Sequence, residues 1–419
     1  MANQFQVVDW MAMKALAAFQ NELVIADMFT TEYEGEFEKT FAVGETVRVK
    51  YPQRFYVTEG FEYTPQPLDD QFTTVTVDKP IQVAFEGDSV EIALRMAREG
   101  NDFKSYFTPF ITTAAKQMAQ YVDSLAAQFA YQNANNVVGS QSTTPTDVSN
   151  AQVARQRMIE LAAKRKNARA IITPAAMTAI ANGGVITQFN PQDQSSMAYK
   201  EGYIGNAKGF DWFESMSIRA HTCGTWAGAV TISGAGQQGN SLLLNCTNGD
   251  TFKKGDVFTI ASVNGVNPFT RTSVNSLKRF VITSDVTATG ATVTIPIQAQ
   301  NGANNAIVGP GGQYQTVDAL PGDTAALTLM PGTASPNGTT GMQGLAMVEG
   351  GFALASVPLF QPKAVEMART MTDPDTKLSM AFVQVFDGKT RKLINRLDAL
   401  FGFGVLRPDS TTIRMVSAV

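Results

Sequence analysis

The sequence predicts an α+β host chain interrupted by an inserted all-β domain, and two compositional observations carry that prediction. Between Glu214 and Glu349 there is no glutamate at all. Residues 225–340 are built from Thr, Asn, Gly, Ser and Val, with ten charged residues divided five against five, whereas both flanks hold long helical patterns and most of the charge. Host-like alternation resumes after the β-rich stretch, so a separate module is set into a continuing chain.

The elements follow in order. Over residues 5–28, Phe5, Val8, Ala12, Ala15, Leu16, Phe19 and Leu23 recur at spacings of three and four and form one apolar helical stripe. Such an arm should pack on a partner subunit or on the chain's own long helix, and its deletion should leave a soluble chain that assembles poorly. Glu32, Glu34, Glu36 and Glu38 then alternate with Tyr33 and Phe37, as in an acidic edge strand. Alternation over 45–51 and again over 72–77, with Pro52, Gly60, Pro65 and Pro67 between, predicts an extended hairpin. A connection of about twenty residues without its own core is usually functional, and Arg54, Glu59, Glu62, Asp69 and Asp70 in it, with Phe5 and Phe19 of the arm, are candidate contacts to neighbouring subunits.

A short helix is expected over 89–98 and a long one over 108–136, with Pro109 in its first turn and Ile111, Ala115, Met118, Val122, Leu125 and Phe129 on one face. A helix over 151–166, a buried strand at Ala170-Ile171-Ile172, and a Thr173-Pro174 cap on a helix over 175–181 follow. Within the insertion, strands are expected at 227–232, 241–245, 257–263, 280–283 and 291–297, the spacing of a small antiparallel barrel or sandwich. Strands at 345–348, 353–357, 378–386, within 389–403, and at 413–416 return to the host sheet.

Charge and composition exclude several classes. A net charge of −4, from 33 basic and 37 acidic residues, offers no basic stripe for tight nucleic-acid binding. Two cysteines, Cys223 and Cys246, are too few for a disulfide framework. The N-terminus lacks a basic segment and an uninterrupted apolar core, so no secretory signal is expected, and no run of about 18 apolar residues would cross a membrane.

Catalytic and cofactor signals are thin. Gly234, Gly236 and Gly239 fit G-x-G-x-x-G after a strand, but a strand and not a helix follows, which favours a glycine turn between antiparallel strands over a dinucleotide site. His221 and Cys223 form an isolated H-x-C around the only histidine, too few ligands for a metal, so a partly buried linker histidine is expected. Asp69-Asp70 and Asp373-Asp375 lie in Pro-containing turns. No catalytic, cofactor or metal residue is therefore assigned. The Thr/Asn/Gly-rich centre taken alone would suit a secreted or surface β-rich adhesin or glycan-binding protein, which should carry a signal sequence and repeated β-domains.

The segment from Val43 to Phe55, the Phe210-Asp211 pair after Gly209, the run Phe252 to Ile260, and Leu397 to Gly402 with Leu406-Arg407-Pro408 give a further clue. In their order they resemble the major capsid protein of tailed double-stranded DNA phages, the Hong Kong 97 fold, and closest the coat-protein family of the Salmonella-type short-tailed phages. The resemblance implies an N-terminal arm at 1–40, an E-loop hairpin at 41–85, a P-domain with a spine helix at 86–145, a first part of the A-domain at 146–223, an inserted β-barrel-like domain at 224–342, and a return to the A- and P-domain sheet at 343–419. It implies a structural, non-enzymatic shell protein assembling with itself as pentamers and hexamers in the bacterial cytoplasm. Its implied partners are a scaffolding protein, a portal ring and loosely held double-stranded DNA, with room for a decoration or cement protein and none for a membrane.

Overall fold

A computed structural model describes residues 3–31, 46–50, 54–55, 57, 60–61, 65–68, 72–88, 103–163, 167–185, 204–299, 305–331, 337–359, 367–373 and 378–419. The expected acidic edge strand at 32–38 and the short helix at 89–98 lie outside the described residues. The helices are α1 (Asn3–Asn21), α2 (Phe103–Asn133), α3 (Ser149–Glu160), α4 (Pro174–Ile180) and α5 (Pro408–Thr411). The host strands are β1 (Thr46–Lys50), β2 (Phe72–Asp88), β3 (Asn136–Gly139), β4 (Arg169–Ile172), β5 (Asn206–Ala207), β6 (Phe210–Glu214) and β7 (Ala220–Thr222). In the insertion follow β8 (Thr231–Ile232), β9 (Ser241–Asn245), β10 (Thr251–Phe252), β11 (Val257–Val266), β12 (Ser273–Val281), β13 (Val286–Thr287), β14 (Thr292–Pro296) and β15 (Leu327–Met330). The host resumes with β16 (Thr340–Met347), β17 (Phe352–Ser356), β18 (Met367–Thr372), β19 (Ser379–Asp387), β20 (Lys392–Val405) and β21 (Thr412–Ser417).

The chain divides into two compact units. The first, Met1–Val49 with Thr74–Ala126 and Ala353–Gly404, is built on a six-stranded sheet in the order β1-β2-β20-β19-β18, with β17 beside β20. Its long partners β2 and β20 run antiparallel, with a bulge between Val77 and Lys79 just before Pro80. That irregularity is where a proline, which cannot donate to a ladder, is tolerated. Gly402 in β20 has no room for a side chain, because an added Cβ would collide with the Thr76 carbonyl.

Helix α1 packs on β18 and β19. Met11, Ala12, Ala15, Leu16 and Phe19 are buried along it, and the Phe19 ring stacks on Phe401 with centroids 5.9 Å apart. The predicted helix to residue 28 ends early, at Asn21. Beyond it the chain turns so that the backbone N–H groups of Val24, Ile25 and Ala26 all donate to Asp123 Oδ1 of α2, at 3.3, 2.7 and 2.9 Å. Those free donors find a carboxylate in place of another helical turn. Lys116 of α2 pairs with Glu22. The arm is thus held by its own sheet and its own spine helix.

Helix α2 is 31 residues long and starts five residues before the predicted Thr108, so Pro109 sits inside it and not in its first turn. The prolyl ring leaves one carbonyl of the preceding turn without its helical donor, and Thr112 and Thr113 hydroxyls bond back to the Thr108 and Pro109 carbonyls at 2.7 and 2.8 Å in this stretch. Its apolar face, Ile111, Ala115, Met118, Ala119, Val122 and Ala126, is buried.

The second unit comprises Lys50–Thr73, Ala127–Phe352 and Val405–Val419. Its host part is a seven-stranded sheet, β3-β21-β16-β4-β6-β5 with β7 beside β16. The pairs β21·β3 and β4·β6 are parallel. Thr173 caps α4 as expected, accepting from Ala176 N at 3.3 Å with Pro174 at the first position. Helix α3 stops at Glu160 and not at 166, because Ala162 turns to φ 59° and the Ala163 N–H reaches back to the Met158 carbonyl at 2.9 Å.

The insertion is a closed barrel. Sheets β12-β11-β15 and β14-β9-β8 are joined by the bridge Thr231↔Ala326 on one side and Ile282↔Ile297 on the other. The ring therefore runs β12-β11-β15-β8-β9-β14 and back, with β10 and β13 paired as a flap. Its interior has a core of its own, including Ile232, Leu242, Leu244, Phe258, Ile260, Phe280, Ile295 and Leu329. Several strand expectations change: the strand expected at 227–232 is only Thr231–Ile232, the strand near Phe280 runs earlier, from Ser273 to Val281, and β10, β13 and β15 were not foreseen. The glycine motif is the predicted turn, since β8 and β9 pair antiparallel across it and Gly234, Gly236 and Gly239 all have positive φ.

Candidate functional site

Three features of the second unit position what the chain can do: the joint where the barrel leaves the host, the seat it rests on, and the tip of the hairpin.

The joint is a pair of adjacent strands. β7 leads into the barrel and β16 leaves it, with Thr222 opposite Thr340 and His221 opposite Gly341. The Thr222 and Thr340 hydroxyls meet at 2.8 Å, and the Cys223 N–H donates to the Thr339 carbonyl at 3.0 Å. His221 is buried, not partly buried, because Asp256 of β11's approach comes to it: Nε2 lies 2.9 Å from Asp256 Oδ1. The other oxygen of Asp256 accepts from the N–H groups of Gly224 and Lys253 at 3.0 and 2.8 Å.

Cys223 Sγ accepts from Gln141 Nε2 at 3.0 Å. Burial first, and then the Asp256 charge, push its thiol up to about 12. Arg414 of β21, fully enclosed, is drawn down to about 10 by burial, while Cys223, Asp256 and Tyr131 work in the opposite sense.

His221, Cys223 and Asp256 place ligand atoms within 4.8 Å of one another, a convergence that sequence spacing could not show for Asp256. The surroundings do not fit a cation. Both carboxylate oxygens already accept hydrogen bonds, and the buried Arg414 guanidinium supplies positive charge beside them. This polar network, centred on Asp256, fixes the joint.

The seat combines apolar and ionic contact. Val137 and Val416 of the host meet Val257 and Val281 of the barrel, with Met330 beside them. Around this patch Lys278 pairs with Asp409, and Arg279 donates to the Val137 carbonyl at 2.6 Å. Arg157 donates to Ser276, and Asn267 to the Glu160 carbonyl at 2.9 Å. Arg279 is pulled down to about 10, by burial first and Arg157 second, against Glu160 and Asp409.

At the hairpin tip, Phe55, Val57, Phe61 and Leu68 are 59, 96, 108 and 80% exposed. Arg54 is engaged within its own chain: its carbonyl accepts from Gln313 Nε2 at 2.6 Å. Burial first, then Arg407, lowers its pKa, while Asp409 and Tyr314 raise it. Glu59, Glu62, Asp69 and Asp70 lie outside the described residues, as does the side chain of Phe5 in α1. Phe19 is buried in the first unit against Phe401, within its own chain. Sequence reasoning missed these four exposed apolar residues, the ones so placed among the described residues of 54–68, although all are readable in a Pro-punctuated connection.

Among solved structures, one from Mycobacterium phage Che8 is 12% identical, with a TM-score of 0.45, over 94% of this chain and 90% of that one. The capsid of Ralstonia phage GP4 is 8% identical, with a TM-score of 0.42, over 93% and 86%. The CUS-3 coat protein I-domain is 25% identical over 24% of this chain and 95% of its own length, with a TM-score of 0.18. No curated protein matches. The family model described as "P22 coat protein - gene protein 5" matches residues 1–417. That match covers nearly the whole chain, so the chain belongs to the P22 coat protein family and is a structural major capsid protein of tailed phages with the Hong Kong 97 fold.

Proposed function

We propose that many copies of this chain, as pentamers and hexamers, build an icosahedral head that encloses double-stranded DNA. Assembly would take place in the host's bacterial cytoplasm, with a scaffolding protein and a portal ring. The observation that carries this reading is the hairpin tip. Four apolar side chains stand in water on a segment too thin to bury them, and a neighbouring subunit is what could cover them. Contacts from Glu59, Glu62, Asp69 and Asp70 to that neighbour belong to the same proposal.

The barrel's balanced charge suits a place away from DNA, and the chain's net charge of −4 suits loose, non-specific contact with it. The role is architectural, without catalysis. Among the described residues no helix is long and apolar enough to cross a membrane. Co-expression with the scaffolding protein, followed by electron microscopy and sedimentation, tests the reading. Closed shells are expected; a uniform monomer at high concentration would overturn it. Phe61→Ser with Leu68→Ser should lower shell yield while leaving the subunit's circular dichroism unchanged.

A further inference from the structure

We propose that the barrel loop at Gln313 and Tyr314 is a parking surface for the chain's own extended hairpin, occupied in the free subunit and vacated when the hairpin engages a second copy. This rests on the capsid reading above. Two observations point to it. Gln313 Nε2 donates to the Arg54 carbonyl across 259 positions of sequence, and Lys50–Thr73 belong to the same compact unit as the barrel.

The chemistry of the contact is that of a temporary dock. Arg54 has given up much of its water, and Arg407 opposes its charge. Asp409, the carboxylate among the described residues that acts on Arg54, is already paired with Lys278, so there one anion serves two cations. The parked hairpin is also left with Phe55, Val57, Phe61 and Leu68 in water. A neighbour that covers those four side chains offers more than one neutral hydrogen bond returns, so exchange from the parked to the shared arrangement is downhill. The free subunit keeps its hairpin against its own body until such a neighbour is present.

Hydrogen exchange of the free subunit, read with the kinetics of scaffold-assisted assembly, tests this in the full chain. Gln313→Ala removes the donor, and Gln313→Leu keeps nearly the side chain's size with neither donor nor charge. Amides of 54–68 should exchange faster by about twofold to tenfold, the range set by the net worth of one hydrogen bond, with exchange in β11 unchanged. Assembly should start sooner or at lower concentration. Unchanged exchange at 54–68 in both variants would overturn the parking contact. Faster exchange with unchanged or slower assembly would overturn its role as a hold on assembly, and slower assembly would assign Gln313 to contacts between copies. If the wild type forms no shells at all, the capsid reading fails, while the exchange data still report on parking.

Discussion

Lys278 of the barrel and Asp409 of the host form an ion pair whose side chains are only 4% and 1% exposed. They stand 131 residues apart, and Asn136 Nδ2 donates to both the carbonyl and Oδ1 of Asp409 at 2.6 and 3.1 Å. Two charges taken from water recover their hydration largely through each other, with Asn136 adding a hydrogen bond to the carboxylate, so removing either strands its partner. Lys278→Ala or Asp409→Ala should destabilise the subunit by about 3–5 kcal/mol in urea denaturation. The joint replacement Lys278→Met with Asp409→Leu should cost clearly less than the sum of the two. Additive losses would show that the pair is not coupled.

The barrel should fold without its host. Its core is drawn from its own strands, and its ring closes on itself through Thr231↔Ala326 and Ile282↔Ile297. Residues 224–342 expressed alone are expected to give dispersed NMR spectra and one cooperative unfolding transition. A disordered fragment beside a folded full chain would make the insertion an elaborated loop.

Asp123 makes stability depend on pH with a defined sign. Burial raises its pKa above the ordinary 3.8, and the three backbone donors from Val24, Ile25 and Ala26 only partly oppose this. An acid that holds its proton more tightly when folded contributes most below its unfolded pKa, and that contribution falls as pH rises through the folded pKa. Asp123→Asn keeps an acceptor and removes the charge. It should flatten the stability profile between about pH 4 and neutrality and match or exceed the wild type at the upper end. Asp123→Ala strands the donors and should cost about 1–3 kcal/mol. Thermal melts across pH separate the two.

The arm belongs to the fold of its own chain. Phe19→Ala should cost about 3–5 kcal/mol, as for a buried ring in a packed core. Removal of residues 2–28 should give an aggregating chain, not the soluble one expected from the sequence. A monodisperse truncated subunit on gel filtration would restore the earlier expectation.

How much could be read in advance follows the range of the interactions. Strand β4, the Thr173 cap and the glycine turn before β9 are set by neighbours a few residues away, and their positions agree with the sequence pattern. Helix ends fared worse. After α1 ends at Asn21, Asp123, about a hundred residues on, accepts the N–H groups of Val24, Ile25 and Ala26, and no local periodicity encodes that. The same holds for His221, whose partner Asp256 comes from inside the insertion, and for the seat, where Lys278 and Arg279 look like ordinary strand charges until Asp409 and Val137 are brought to them. Asp69 and Asp70 of the hairpin lie outside the described residues.

The joint of β7 and β16 has an implication for remodelling this protein. Because Thr222 and Thr340 face each other on neighbouring strands, the barrel is attached at two points about one strand spacing, ~4.8 Å, apart. A short reverse turn would span that gap, and so would any foreign domain whose ends emerge side by side. The host sheet presents a ready socket there, and a swapped cargo would need to restore what Asp256 gives His221, the valine cover on Val137 and Val416, and the partners of Asp409 and the Val137 carbonyl.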